Sequence, residues 1–387
     1  MTSLLTAAQV VTPARVLAPG WLLVDGDRIV EVGEGAPPRR PDLDLDIDLG
    51  GVTVTPGFVD LHVHGGGGAS FDLGTADAAA VVADAHLAHG TTSMAASLVT
   101  DTAERMAAAV RELALLVEDG RLAGVHLEGP WLSPRRSGAH QPGSLTDPDP
   151  AAIQALLDAG SGAVRMVTLA PELPGGIAAV RQLADAGVVA AIGHTDATYD
   201  QSCAALDAGA RLGTHLFNAM RPLHHRDPGP VGALLDAAVD VELIADGVHL
   251  HPAVLRTVFA AKPGRCILVT DAMAAAGAPD GDYRLGQMAV EVRDGVARLA
   301  DGSGTGAIAG STLTMDAAVR FAVRTAGLPL LDVVHAASTA PARAWGLDDV
   351  GALEAGRRAD LVVLDEDLEV ARVMRGGTWV SPSWTPA

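Results

Sequence analysis

The sequence predicts an α/β chain: a (β/α)8 TIM barrel with a small β-sandwich domain built from both termini. Three observations predict it. Eight short apolar, β-branched segments each precede an Ala/Leu/Arg-rich stretch of helical character; seven of these segments finish on an acid or a histidine; and both chain ends carry strands without intervening helices.

The eight segments are Thr53 to His62, Thr92 to Val99, Leu122 to Glu128, Val164 to Glu172, Val188 to His194, Leu212 to Asn218, Val241 to Asp246, and Cys266 to Asp271. By count alone a doubly wound sheet fits such alternation as well as a barrel does. The polar residues decide between them. His62 with His64, Glu128, Glu172, His194, His215, Asp246 with His249, and Asp271 stand at or just beyond segment ends. A barrel gathers all its strand ends at one mouth, whereas an open sheet strings them along an edge. The expected division is a first β-domain segment over residues 1–52, the barrel over 53–345, and a second β-domain segment over 346–387.

The terminal strands are read from Trp21 to Val32, punctuated by Gly26, Gly33 and Gly35, and from Ala359 to Leu364 and Gly376 to Val380. Neither end is long enough to make a stable sheet alone, so the two should pair. Between Tyr283 and Leu299 a hairpin-like insert is expected, turning at Asp294-Gly295.

Composition narrows the partners. A net charge of -20 and 3% aromatic residues leave no basic stripe and no stacking surface for nucleic acid. An anionic small substrate would need a local cationic pocket against that overall field. Cys203 and Cys266 are far apart and outside any C-x-x-C spacing, which argues against a disulfide framework or zinc ribbon and fits a reducing compartment. The first twenty residues lack a basic segment followed by a sustained apolar one, and no run of about 18 apolar residues occurs, so a cytoplasmic protein without membrane association is expected.

The chemistry lies at the strand ends. In His62-Val63-His64 the two imidazoles are two residues apart on a strand, so both can face one ion from a rigid element. Glu128 ends a strand and is followed by the helix-incompatible Gly129-Pro130, while His126 sits one layer deeper on the same side. His194 and His215 repeat the arrangement on the fifth and sixth strands, and together these residues make a metal site. Asp271 ends the eighth strand, where an unpaired buried carboxylate would be costly. Beside a divalent ion it can take a proton from water and return it to a leaving amine.

One count removes a mechanism. Lys262 is the only lysine among 27 basic residues, and it precedes the eighth strand at its far end. Many binuclear hydrolases on this barrel bridge two metals with a carbamylated lysine at the end of the fourth strand. That strand, Val164 to Glu172, has none, so Glu128 must be the shared carboxylate if two metals bind. Schiff-base catalysis falls by the same argument.

These residues resemble the N-acetylglucosamine-6-phosphate deacetylases of the amidohydrolase superfamily. The resemblance runs through Pro56 to Gly65, His126 to Pro130 with Gly138-Ala139-His140, Gly193 to Thr198, Thr214 to Met220, Asp246 to His249, Thr270 to Met273, and Gly310 to Met315, in family order over nearly the whole chain. It implies that Glu128, His194 and His215 hold the main metal and that Asp271 moves the proton. It further implies substrate contacts from Ala139, His140, Asn218, Ala219, Arg226, His249, Ile308, Ala309 and Gly310. His62 and His64 leave room for a second ion. Family members are usually dimers, and a phosphate contact can come from the partner chain. Gln141 stands where the family commonly has Asn, and the Arg135-Arg136-Ser137 loop is variable.

The function implied is metal-dependent deacetylation of N-acetylglucosamine 6-phosphate in amino-sugar catabolism. The galactosamine epimer or another N-acyl sugar phosphate is the alternative substrate, and a non-catalytic sugar-phosphate-binding protein the alternative class. Imidazole and carboxylate donors suit zinc first, with iron, cobalt, nickel and manganese as alternatives. One ion per subunit is expected, or two.

Overall fold

The computed structural model describes residues 1–38, 43–300, 302 and 306–380. The last residues of the expected second β-domain segment, 381–387, lie outside them. The chain divides into two compact units, one of Met1–Asp60, His86–Ser93 and Met315–Ala387, the other of Leu61–Ala85 and Met94–Thr314. This division crosses the boundaries expected at 52 and 345.

Eight strands follow one another in chain order within one sheet: Phe58–Asp60, Thr91–Val99, Gly124–Glu128, Val164–Leu169, Val189–Ile192, Leu212–Gly213, Asp240–Ile244 and Cys266–Val269. Past its ends, Val63 bridges Ala272 in parallel and the Asp271 N–H donates to the His62 carbonyl at 2.8 Å. The sheet is the expected (β/α)8 barrel. Its strands are largely apolar because both faces are covered, and all nine residues of Thr91–Val99 are buried.

The intervening helices begin where local chemistry starts them. Pro150–Gly160 is preceded by Asp149, whose carboxylate accepts from the Ala151 and Ala152 N–H groups at 3.0 and 2.9 Å. Tyr199–Asp207 opens on a reciprocal cap between Thr198 and Gln201. Ala103–Glu118 turns Met106, Val110 and Leu113 inward at helical spacing. No described helix is long and apolar enough to cross a membrane.

The first expected barrel segment requires correction. Thr53 to His62 is not one strand: Thr53–Pro56 pairs with Leu361–Leu364 and with Gln9–Val11, and the barrel strand begins only at Phe58. Thr53–Pro56 belongs to a six-stranded sheet drawn from both termini, while a four-stranded sheet comes from the N-terminal region alone. Leu5, Leu22 and Ile29 of one sheet share a core with Val10, Val54, Leu361 and Val363 of the other. That is a sandwich. The insert is also richer than expected: Gly281–Leu285, Met288–Arg293 and Val296–Leu299 form three antiparallel strands, with Asp294-Gly295 turning the second into the third.

Candidate active site

The strand ends deliver the expected residues to one place. Glu128 stands at its centre. Its Oε1 lies 3.1 Å from His194 Nε2, 3.0 Å from His215 Nε2 and 3.5 Å from His62 Nε2, and its Oε2 lies 3.2 Å from His64 Nε2. Asp271 Oδ1 lies 3.4 Å from His62 Nε2 and 3.3 Å from His64 Nε2. Two groups of three result, His62 with His64 and Asp271, and Glu128 with His194 and His215, all buried and each with ligand atoms within 4.8 Å of one another.

The backbone is strained at these positions. His194, His215 and Asp271 have φ of 46°, 26° and 48°, and Phe217 and Ala219 have 78° and 50°. These five are most of the eight non-glycine residues in the left-handed region among the described residues, so strain concentrates at this mouth. It is held by the neighbours. The Ser133 N–H donates to the His194 carbonyl at 2.9 Å, and His194 Nδ1 meets the Arg136 carbonyl at 2.8 Å. That carbonyl can only accept, so Nδ1 carries a proton, and in the neutral ring the Nε2 lone pair faces Glu128. Gly138 lies against the same ring: a Cβ there would stand 3.0 Å from His194 Cε1.

Charges in the cluster offset burial. Burial pushes the Glu128 carboxyl up, but the His62, His140 and His194 imidazoles outweigh it and hold the group well below the usual carboxylate range. Burial likewise opposes ionisation of Asp271, and His62 and His64 overcome it, leaving a carboxylate. Burial dominates at His140, which is pushed down to about 4 despite Glu128 Oε2 at 3.2 Å. For His249, burial lowers proton affinity, but the Asp246 carboxylate, 2.6 Å from Nδ1, raises it above the ordinary value.

A cavity of about 350 Å3 opens over this floor. His64, Glu128, His194, His215 and Asp271 reach it, as do Ala139, His140, Asn218, Ala219, His249, Ile308 and Gly310 of the expected substrate contacts. Three of the expected residues do not reach the cavity. His62 lies beneath the floor, fully buried, and Ala309 packs into an apolar cluster with Met273. Arg226 is exposed, its Nη1 2.7 Å from His225 Nε2, and does not line the cavity. Glu172 instead accepts from Thr195 Oγ1 and the Asp196 N–H, both at 2.6 Å.

Other residues were not anticipated. Arg135 and Arg136 line the wall, and Arg136 donates twice to Asp196 Oδ1, at 2.9 and 2.7 Å. Glu242 accepts from the backbone N–H of His215 at 3.3 Å and lies 3.2 Å from His62 Nδ1. A lone carboxylate inside the apolar run Val241 to Ile244 was the signal that could have found it. His126 is the deeper histidine expected, between Ser97 Oγ at 2.9 Å and Thr168 Oγ1 at 2.8 Å. Lys262 is buried, its Nζ donating to the Leu234 carbonyl at 2.9 Å and to the Ala237 carbonyl.

The donor set fits a divalent cation. His62 and His64 turn Nε2 atoms toward each other at 3.0 Å, and His194 and His215 do so at 3.1 Å. Nitrogens bound at ~2.0–2.1 Å to one tetrahedral ion sit roughly 3.3 Å apart, close to these separations. Glu128 touches both groups, as a shared ligand must.

Comparison with known proteins agrees with this geometry. The amidohydrolase family pattern matches residues 53–380. Human N-acetylglucosamine-6-phosphate deacetylase is 38% identical over 389 residues, covering 95% of this chain and 94% of its own. An Escherichia coli N-acetylgalactosamine-6-phosphate deacetylase is 36% identical, covering 98% of this chain and all of its own. The solved N-acetyl-D-glucosamine-6-phosphate deacetylase mutant of Mycobacterium smegmatis, in complex with N-acetyl-D-glucosamine-6-phosphate, superposes with a TM-score of 0.94 at 53% identity, covering 98% of this chain and 99% of that one. The chain therefore belongs to the amidohydrolase family, in its N-acetylglucosamine-6-phosphate deacetylase branch.

Proposed function

We propose that the chain hydrolyses N-acetylglucosamine 6-phosphate to glucosamine 6-phosphate and acetate. The observation that carries this reading is an ionised carboxylate, Asp271, facing a cavity floored by two histidine-carboxylate groups. Glu128, His194 and His215 would hold one divalent cation, and His62, His64 and Asp271 offer a second position; zinc is the first expectation. A bound cation polarises the acyl oxygen and acidifies nearby water.

The chain's own groups supply the proton transfers and the orientation. Asp271 takes a proton from the attacking water as its oxygen bonds to the acetyl carbon. It returns that proton to the nitrogen as the C–N bond breaks, releasing acetate and the free amine. His249, protonated at Nδ1 against Asp246, keeps its other nitrogen for the substrate, as a donor to the carbonyl oxygen when the ring is charged. Asn218 and Ala219 face the cavity at a loop suited to the phosphate, and Arg135 and Arg136 supply positive charge at the wall. The reading gives Arg226 its phosphate role from a second copy of the chain in a homodimer, which accords with its exposure and with the half-exposed Leu223 in the same loop. It places the enzyme in the cytoplasm.

The test measures acetate release from N-acetylglucosamine 6-phosphate, its galactosamine epimer and the unphosphorylated sugars, together with metal content. Asp271→Asn should abolish turnover while metal content holds. Near-normal turnover in that variant overturns the assignment. The Escherichia coli relative favours the epimer as second reading, and faster release from N-acetylgalactosamine 6-phosphate would establish it.

A further inference from the structure

We infer that Glu242 is a positioning residue that makes the His62, His64 and Asp271 group able to hold a divalent cation. The inference rests on the reading that both groups bind cations.

Glu242 lies mid-strand in Asp240–Ile244 and is fully buried. A carboxylate taken out of water without partners is costly, so its partners indicate its purpose. One is His62 Nδ1, 3.2 Å from Oε2; the other is the His215 backbone N–H, which donates to the same oxygen at 3.3 Å. Oε1 is buried with no hydrogen-bond partner among the described residues.

A carboxylate only accepts, so in the neutral ring that binds a cation the His62 proton must sit on Nδ1. Nε2 then presents its lone pair toward His64 Nε2 at 3.0 Å and Asp271 Oδ1 at 3.4 Å. The other imidazoles lack such support: His64 Nδ1 and His215 Nδ1 are buried without a hydrogen-bond partner among the described residues, and His194 Nδ1 meets a backbone carbonyl. Among the described residues, His62 is therefore the one ligand of the two groups whose far nitrogen meets a carboxylate. The ring is also hemmed in, edge to face with His126 at 4.6 Å and stacked with His215 at 5.5 Å. Packing fixes its plane, and Glu242 fixes which nitrogen is bare.

The experiment strips the protein with a chelator and titrates it with Co2+ alone, following visible absorption, with far-ultraviolet circular dichroism as the check on folding. The unaltered protein should take up cobalt in two steps. Glu242→Gln keeps an oxygen that can accept from Nδ1 but removes the charge, and Glu242→Leu removes both. The second step should weaken about 10-fold in the first variant and about 100-fold in the second, with the first step changed little in either. Two unchanged steps in both variants overturn the role of Glu242 and leave the two-cation reading standing. A single step in the unaltered protein overturns that reading, and this inference with it. Loss of both steps in Glu242→Leu, with both intact in Glu242→Gln, would show only a structural brace.

Discussion

The Asp196 to Arg136 ion pair joins two walls of the site, and breaking it should cost activity in a way that a double-mutant cycle can read. Arg136 gives two short bonds to Asp196 Oδ1, and its backbone carbonyl orients His194. The same loop carries Gly138, Ala139 and His140 into the cavity wall. Bonds to charged groups contribute about 1.5–3 kcal/mol, and the lower end applies because Arg136 keeps 30% of its side chain exposed. Arg135, 82% exposed at 3.3 Å, adds little. A loss of about 1.4 kcal/mol is roughly tenfold. Asp196→Asn and Arg136→Met should each lower kcat/KM for the phosphorylated sugar about tenfold, and the double variant should also fall about tenfold rather than a hundredfold. Steady-state acetate release for all four proteins is the assay. Multiplying losses, or single variants within about twofold of the original, would refute the latch.

Gly138→Ala forces a left-handed backbone on a residue with φ of 57° and sets a methyl 3.0 Å from His194 Cε1. We expect about 1–2 kcal/mol of lost stability by denaturant titration, together with weaker metal retention; unchanged metal content would place the ring elsewhere. His89 lies 3.2 Å from Asp316, which raises its proton affinity above the ordinary value. This pair therefore contributes stability in full below pH ~6.5, lost as pH rises through the raised value. The His89 imidazole titration followed by NMR should move down in Asp316→Asn, and no movement would contradict the pairing.

The barrel was legible because its signal is local and repeated: each strand announces itself by apolar β-branched residues, and seven of the eight by an acid or histidine at the end. Glu128, His194, His215 and Asp271 were legible for the same reason. Thr53–Pro56 was not, because its pairing partner Leu361–Leu364 lies some three hundred residues away and apolar character runs on through Gly57 to the barrel strand. Arg135 and Arg136 stood only as part of a variable loop, since nothing in the sequence couples them to Asp196. Glu242 stayed hidden because both of its partners come from other strands. Its meaning depends on closure of the barrel, which no periodicity encodes.

The buried position of Lys262 has a consequence for handling the folded protein. Its amine is the only side-chain amine in the chain, and it is spent on two carbonyls in the interior. Burial also lowers its proton affinity, yet no reagent reaches it while the fold holds. Acylating dyes, crosslinkers and activated surfaces therefore find no side-chain amine on the folded chain. A label on Lys262 would therefore report unfolding around the end of Pro252–Ala261.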